Sequence, residues 1–176
     1  MLFVILLQGG IPMFKVSDYV VYSTTGVCRI TAIGKDEYAG NNDTEYYVLH
    51  PVYDTNMTIK IPVNNPKIAM RPILTQEEVL SLIAAMPTQE TIWIEDNRER
   101  NELYKTILKR GTCQEWIKLI KTLHVEKEAR LANGKTLTST DEEIMRAAEK
   151  QLHEEFAIAL NISPDKVLPY ILEHIS

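Results

Sequence analysis

The feature that most constrains the fold is a change of hydrophobic period near residue 75. Before it, short runs of β-branched and aromatic residues cover 16–22, 27–33, 45–51, 57–63 and 68–73, with turn-forming residues at 23–26, 39–43 and 54–56. This pattern predicts strands joined by tight turns. Beyond residue 75, apolar residues recur at helical spacing. We therefore expect an α+β chain, in which a small antiparallel sheet curls into a β-barrel and an all-α helical domain follows.

Capping residues mark the predicted helices. Capping boxes begin at three positions and a Ser-Pro pair marks a fourth start, namely Thr75, Thr112, Ser139 and Ser163. Gly111 and Gly134 stand where helices should end. These signals predict helices over 76–86, 92–110, 113–132, 140–160 and 164–174.

The chain divides into three predicted parts. Residues 1–12 contain a short apolar run, with no basic residue before it and no cleavage site after it, so we interpret them as a foreign or upstream extension before Met13. Residues 13–74 form the β domain and carry six basic and six acidic side chains. Residues 75–176 form the helical domain and carry thirteen basic and eighteen acidic ones, a net charge of -5.

The charge and the apolar runs exclude some classes of protein. A total charge of -5 argues against a protein that coats nucleic acid by charge alone, so a role on DNA requires a local patch or a partner that brings the chain there. No apolar run reaches the roughly 18 residues of a membrane-spanning helix, so we expect no membrane partner. Cys28 and Cys113 are too few for a disulfide scaffold and indicate reduced, cytoplasmic thiols.

The sequence shows no assembled catalytic site. Its four histidines lack the spacing of zinc ligands, and no phosphate-binding glycine loop or Gly-x-Ser-x-Gly elbow is present. We therefore expect no enzyme, no metal and no cofactor.

The helix predicted over 92–110 allows two interpretations. At helical spacing Trp93 falls in one apolar arc with Tyr104, as a core residue would. Arg98, Lys105 and Lys109 form a basic stripe on another side. The stripe could face phosphates, or it could be a solvated face on which Glu102 pairs with Arg98 or Lys105.

The run 57–63 also leaves two interpretations open. Pro62 favours an edge or the end of a strand, where an exposed backbone can pair with a strand of a partner. The lysine of this run, Lys60, could instead protect the edge against unwanted pairing.

Together these residues resemble the CarD/CdnL family of bacterial transcription regulators. In the β half the resemblance rests on residues 14–22, Gly26, residues 45–49 and residues 59–62. In the helical half it rests on Leu137, Thr138, Ile144, Met145, Ala148, Leu152, Glu155, Phe156 and Ala157. The residues that follow the β module are too few for the helicase motor of the transcription-repair coupling factor, which shares this module.

The resemblance implies a Tudor-like N-terminal module that binds the β subunit of RNA polymerase. Lys60 stands where the family commonly has a basic residue facing the polymerase, and with Thr58 and Pro62 it forms the implied polymerase contact. The helical domain would contact promoter DNA at the upstream edge of the melted bubble and change open-complex stability. Tethering by the polymerase would let an acidic chain act on DNA.

The implied DNA contact is matched only in part. The family often has a tryptophan, an arginine three residues later and then an aromatic residue, and these places hold Asn97, Arg100 and Asn101. Trp93 would lie one helical turn earlier and could serve as a wedge in the minor groove. If the wedge is lost instead, basic residues of this helix would contact DNA through its phosphates. The candidate DNA-binding residues are Trp93, Asn97, Arg98, Arg100, Lys105 and Lys109.

We thus expect a cytoplasmic, nucleoid-associated transcription regulator. A protein-interaction adaptor, whose acidic helical domain binds protein rather than DNA, is the alternative. A strand-swapped homodimer is compatible with an exposed strand edge.

Overall fold

The computed structural model describes residues 14–35, 44–64 and 70–175. Within these ranges five strands form one antiparallel sheet, namely β1 (Tyr19–Tyr22), β2 (Gly26–Lys35), β3 (Glu45–Pro51), β4 (Ile59–Pro62) and β5 (Met70–Pro72). Their order is β4-β3-β2-β1-β5. All five predicted strands are present, with the predicted bounds at β3. The extension 1–12, the turn 39–43 and residues 68 and 69 of the last predicted strand lie outside the described residues.

Five helices follow in the same described ranges. They are α1 (Gln76–Ala85), α2 (Asn97–Arg110), α3 (Cys113–Ala132), α4 (Ser139–Leu160) and α5 (Val167–His174). The predicted capping boxes of Thr75 and Thr112 are both formed, and α3 has the predicted bounds. The α+β class is therefore confirmed.

Three helix starts differ from the prediction. Helix α2 begins at Asn97 rather than residue 92, because the Asp96 side chain accepts a hydrogen bond from the Glu99 amide and caps the helix there. Helix α4 begins at Ser139 because Thr138, and not Ser139, is its N-cap. Residues 164–166 form a 3-10 turn before α5.

Two clusters of buried side chains lie on opposite faces of the sheet. Val20 and Cys28 belong to a cluster within the β domain, whereas their neighbours Val21 and Val27 pack with residues from all five helices. Adjacent strand residues point to opposite faces, which explains this division. The helical half thus covers one face of β1 and β2 and shares its core with them.

Within the described residues the sheet is not closed, so the expected curling into a β-barrel is not confirmed. Each ladder joins neighbours in the strand order, and within the described residues none joins β4 to β5. The helical half holds β5 instead, because Arg71 of β5 forms an ion pair of 2.7 Å with Glu155 of α4. This contact anchors β5 against the helices rather than against β4.

Candidate interaction surfaces

The first candidate surface is the outer edge of β4. This strand is the end member of the sheet, where its described partner is β3. The Val63 amide donates to the Glu45 carbonyl over 2.9 Å, so the alternation of the backbone directs the amides of Ile61 and Ile59 to β3 as well. The backbone groups of Lys60 and Pro62 therefore point away from β3. Pro62 contributes only a carbonyl group there.

The side chains of β4 divide between the two faces. Ile61 is buried in the β-domain cluster, while Lys60 between its neighbours is exposed. Thr58 is exposed immediately before the strand, and Pro62 is half-buried at its end. The three predicted polymerase-contacting residues therefore lie together along one edge of the sheet.

The second candidate surface is the exposed side of α2. Asn97, Arg98, Lys105 and Lys109 are all exposed on this helix. Lys105 and Lys109 are one turn apart, so their ammonium groups can face the same direction. Of the two ion pairs that the sequence allowed, the structure contains the one between Arg98 and Glu102, with 3.4 Å between the nitrogen and the oxygen. Both side chains are largely exposed. A pair of this kind adds little stability and leaves the guanidinium accessible.

Arg100 lies inside the molecule rather than on this surface. Its side chain is 1% exposed and forms an ion pair of 2.9 Å with Asp141 of α4, which is equally buried. Its remaining donors reach the Ile94 and Glu95 carbonyls and the Asn97 side-chain oxygen. The guanidinium thus ties the segment before α2 to α4.

Trp93 lies in the segment before α2 and not on the helix. Its indole nitrogen donates to Glu95 over 3.0 Å. The guanidinium of Arg100 stands 4.2 Å from its ring centroid and that of Arg130 stands 5.4 Å away. The half-buried ring also packs against the main core. Trp93 therefore contacts Arg100 of α2 and Arg130 of α3 through its ring. The prediction that Trp93 lies in an apolar arc of this helix was wrong, because the helix begins at Asn97.

Sequence reasoning missed Asp141, the partner that holds Arg100. Acidic residues in the first turn of a helix are common because they interact favourably with the helix dipole, so Asp141 does not stand out in the sequence. The structure adds a second role, because Asp141 also accepts a hydrogen bond from the hydroxyl of its capping residue Thr138. The only signal in the sequence was an arginine embedded in a polar run, which does not reveal a partner 41 residues away.

Both cysteines of the chain are buried, and their surroundings raise the pKa of each thiol. Burial, followed by the charge of Glu154, raises the pKa of Cys28 to about 11. Burial likewise raises the pKa of Cys113, whose thiol donates to Glu155. Both thiols are thus protonated near neutral pH and poor nucleophiles. Among the described residues there is no cluster suited to a metal ion. No described helix has the length and hydrophobicity needed to cross a membrane.

Comparison with protein families identifies the β half. Residues 14–74 match the model of the CarD-like/TRCF RID domain, a protein-interaction domain that implies interaction with RNA polymerase. The match confirms the resemblance to CarD-like proteins, and the helices α1 to α5 lie beyond it. No curated protein matches the chain at significant similarity.

Proposed function

Since this chain carries the CarD-like/TRCF RID domain at residues 14–74, we propose that it is a bacterial transcription regulator. In this proposal the Tudor-like N-terminal domain binds the β subunit of RNA polymerase, and the helical domain contacts promoter DNA at the upstream edge of the bubble. That contact modulates the stability of the open complex. The protein acts without cofactor or catalysis, in the cytoplasm at the nucleoid.

The observation that carries the proposal is the edge strand within the matched domain. Strand β4 directs the backbone of Lys60 away from β3 and ends the sheet. A partner strand can extend a sheet by hydrogen bonding to such an edge, and the exposed lysine side chain then selects partners of complementary charge. We therefore assign the polymerase contact to Thr58, Lys60 and Pro62.

The DNA contact is assigned to the exposed side of α2. Arg98, Lys105 and Lys109 present their charges to solvent and suit phosphate contacts, which position a protein without reading a sequence. Asn97 lies at the start of the same helix. Arg100 and Trp93 support this helix from behind in our proposal, because both are held by contacts within the protein. We thus favour phosphate contacts over insertion of a tryptophan wedge.

Charge reversal at β4 tests the polymerase contact. The purified full chain and its Lys60→Glu variant are compared for capture of the RNA polymerase β-subunit lobe. The full chain is used because Val21 and Val27 of the β domain complete their core with the helices. Arg146→Glu, an exposed reversal on α4, is the control for net charge. We expect capture by wild type and control and weaker capture by Lys60→Glu. Absence of capture by wild type would contradict the proposal.

An adaptor function is the second candidate. The helical half carries a net charge of -5, which favours a protein partner over DNA. It also has an apolar groove of about 400 Å³ between α3, α4 and α5. The two functions differ in the polymerase–promoter complex, where only the regulator changes DNA protection upstream of the bubble.

A further inference from the structure

A buried carboxylate joins the β domain to the helical domain. Each oxygen of the Glu155 carboxylate on α4 accepts a hydrogen bond of 2.7 Å from one terminal nitrogen of the Arg71 guanidinium. They also accept the Leu74 amide over 3.0 Å and the Cys113 thiol over 3.0 Å. One carboxylate therefore binds β5, the connection to α1, and the first residue of α3. The paired geometry of Arg71 fixes an angle as well as a distance.

The same arginine leads to the C-terminal end of α2. Its guanidinium stands 5.4 Å from the ring centroid of Trp116, which is fully buried. The Trp116 indole donates over 3.1 Å to the carbonyl of Ile107 in the last turns of α2. A side chain at Gly111 would collide with both the Ile107 carbonyl and the indole, so this end of α2 is closely packed. The path Glu155–Arg71–Trp116–Ile107 is a continuous series of contacts from the sheet to α2.

A second point of contact restricts rotation about the first. At the start of β2, Gly26 lies so close to α4 that a Cβ there would be 2.8 Å from a Glu154 oxygen. The Tyr53 hydroxyl, just beyond β3, donates to the Glu154 carbonyl over 3.4 Å. Together with the core that β1 and β2 share with the helices, this contact restrains the orientation of the sheet, whereas the Glu155 contact alone would allow the sheet to pivot.

We propose that Arg71, through its paired contact with Glu155, is a positioning residue that fixes the orientation of α2 relative to the edge of β4. The role rests on the proposed function, in which β4 binds the polymerase and α2 reaches the DNA. With the orientation fixed, binding at one surface determines where the other lies. Arg71 itself contacts neither partner in this account.

The test compares distances within the free protein. Spin labels are attached at Ala32→Cys on β2 and Glu102→Cys on α2, both exposed positions, while Cys28 and Cys113 are buried. The distance distribution is measured in this background and with Arg71→Met and Glu155→Gln combined. The glutamine oxygen still accepts a hydrogen bond, and the methionine preserves much of the buried volume. Arg146→Met is the matched control, because Arg146 binds a carbonyl of its own helix.

We expect one narrow distance peak in the unmodified background and in the control. The double variant should lose this peak while its circular dichroism stays that of a folded protein. Arg71→Lys, which keeps the charge but loses the paired geometry, should broaden the peak less and serves as the test if the double variant does not fold. An unchanged narrow peak in the folded double variant, or in Arg71→Lys if that variant alone folds, would overturn the proposal.

The functional consequence is measured with polymerase and promoter DNA. The double variant should still be captured by the polymerase and should lose the DNA protection that wild type gives. Protection that persists with a broadened peak would overturn the positioning role. A wild-type chain that binds polymerase but protects no DNA would contradict the proposed function instead, and the orientation would still be decided by the distances.

Discussion

The edge of β4 and the exposed side of α2 offer different chemical groups to a partner. The strand offers backbone donors and acceptors, whose direction follows from the pairing of β4 with β3. The helix offers the ends of long side chains, and its position depends on contacts on its buried side, among them the Arg100–Asp141 pair. A sheet edge is therefore defined by local backbone pairing, whereas the position of a helical surface depends on the interior contacts that support the helix.

Removing the support of α2 should have the largest effect. Asp141→Ala leaves the buried Arg100 charge without its carboxylate, and we expect a loss of about 3–5 kcal/mol in the free energy of unfolding. Urea denaturation measures the loss. Glu102→Ala removes the exposed pair with Arg98 and should cost about 0–1 kcal/mol. Equal losses in the two variants would refute the distinction between the two sides of α2.

A substitution in the β domain tests the backbone conformation of Gly26. Gly26 has φ +90° and ψ -151°, a region that residues with a side chain rarely occupy. We expect Gly26→Ala to lower the free energy of unfolding by about 1–3 kcal/mol through backbone strain. Gly34→Ala is the control, because nothing lies within 4 Å of the added carbon. A variant Gly26→Ala as stable as the control would contradict this reasoning.

Charge reversal on α2 should affect DNA contact without affecting capture by the polymerase. For Lys105→Glu with Lys109→Glu, we expect the dependence of promoter binding on salt to fall by about two units of slope, one for each lost phosphate contact. The measurement is a salt titration of the polymerase–promoter complex. Lys135→Glu with Lys166→Glu makes the same charge change at exposed positions outside α2. The same fall in the control pair would mean that net charge, not the position on α2, is responsible.

The smallest expected effect is a dependence of stability on pH. Burial holds the pKa of His153 on α4 below its usual 6.5, against the opposing charge of Glu149. As the pH falls through 6.5 towards the folded pKa, the unfolded chain gains a proton that the native protein does not, so stability is lost. We expect a smaller loss in His153→Gln than in wild type between about pH 7.5 and 5.5. Burial raises the pKa of Glu154, which makes the opposite contribution to the pH dependence. Because both wild type and His153→Gln contain Glu154, its contribution cancels when the two are compared.

An identical decrease with pH in wild type and His153→Gln would contradict the assignment to His153. The midpoint of urea denaturation at each pH measures the stability of the two proteins.

Local patterns in the sequence predicted much of the fold. Alternation predicted β3 and the edge strand β4, and the threonine capping boxes predicted the starts of α1 and α3. These signals act within a few residues, so the sequence alone contains them. The predicted start of α2 was wrong because the apolar residues around Trp93 continued the helical spacing. The helix begins only after Asp96, which caps it.

Long-range contacts could not be predicted in the same way. Arg98 and Arg100 are two residues apart in one polar run, yet one is exposed and the other is enclosed by Asp141. Arg71 of β5 likewise pairs with Glu155, which is 84 residues away in the sequence. Such pairs form only when the elements pack, and nothing in their local sequence distinguishes them from surface charges.

The most direct test of the account localises α2 on DNA in the presence of polymerase. A reagent that cleaves DNA is attached to Thr106→Cys, an exposed position on α2 between the two lysines, and to Lys166→Cys as the distant control. We predict cleavage at the upstream edge of the bubble from position 106 alone, and only when polymerase is present. No cleavage from position 106 in the complete complex, or equal cleavage from both positions, would contradict it.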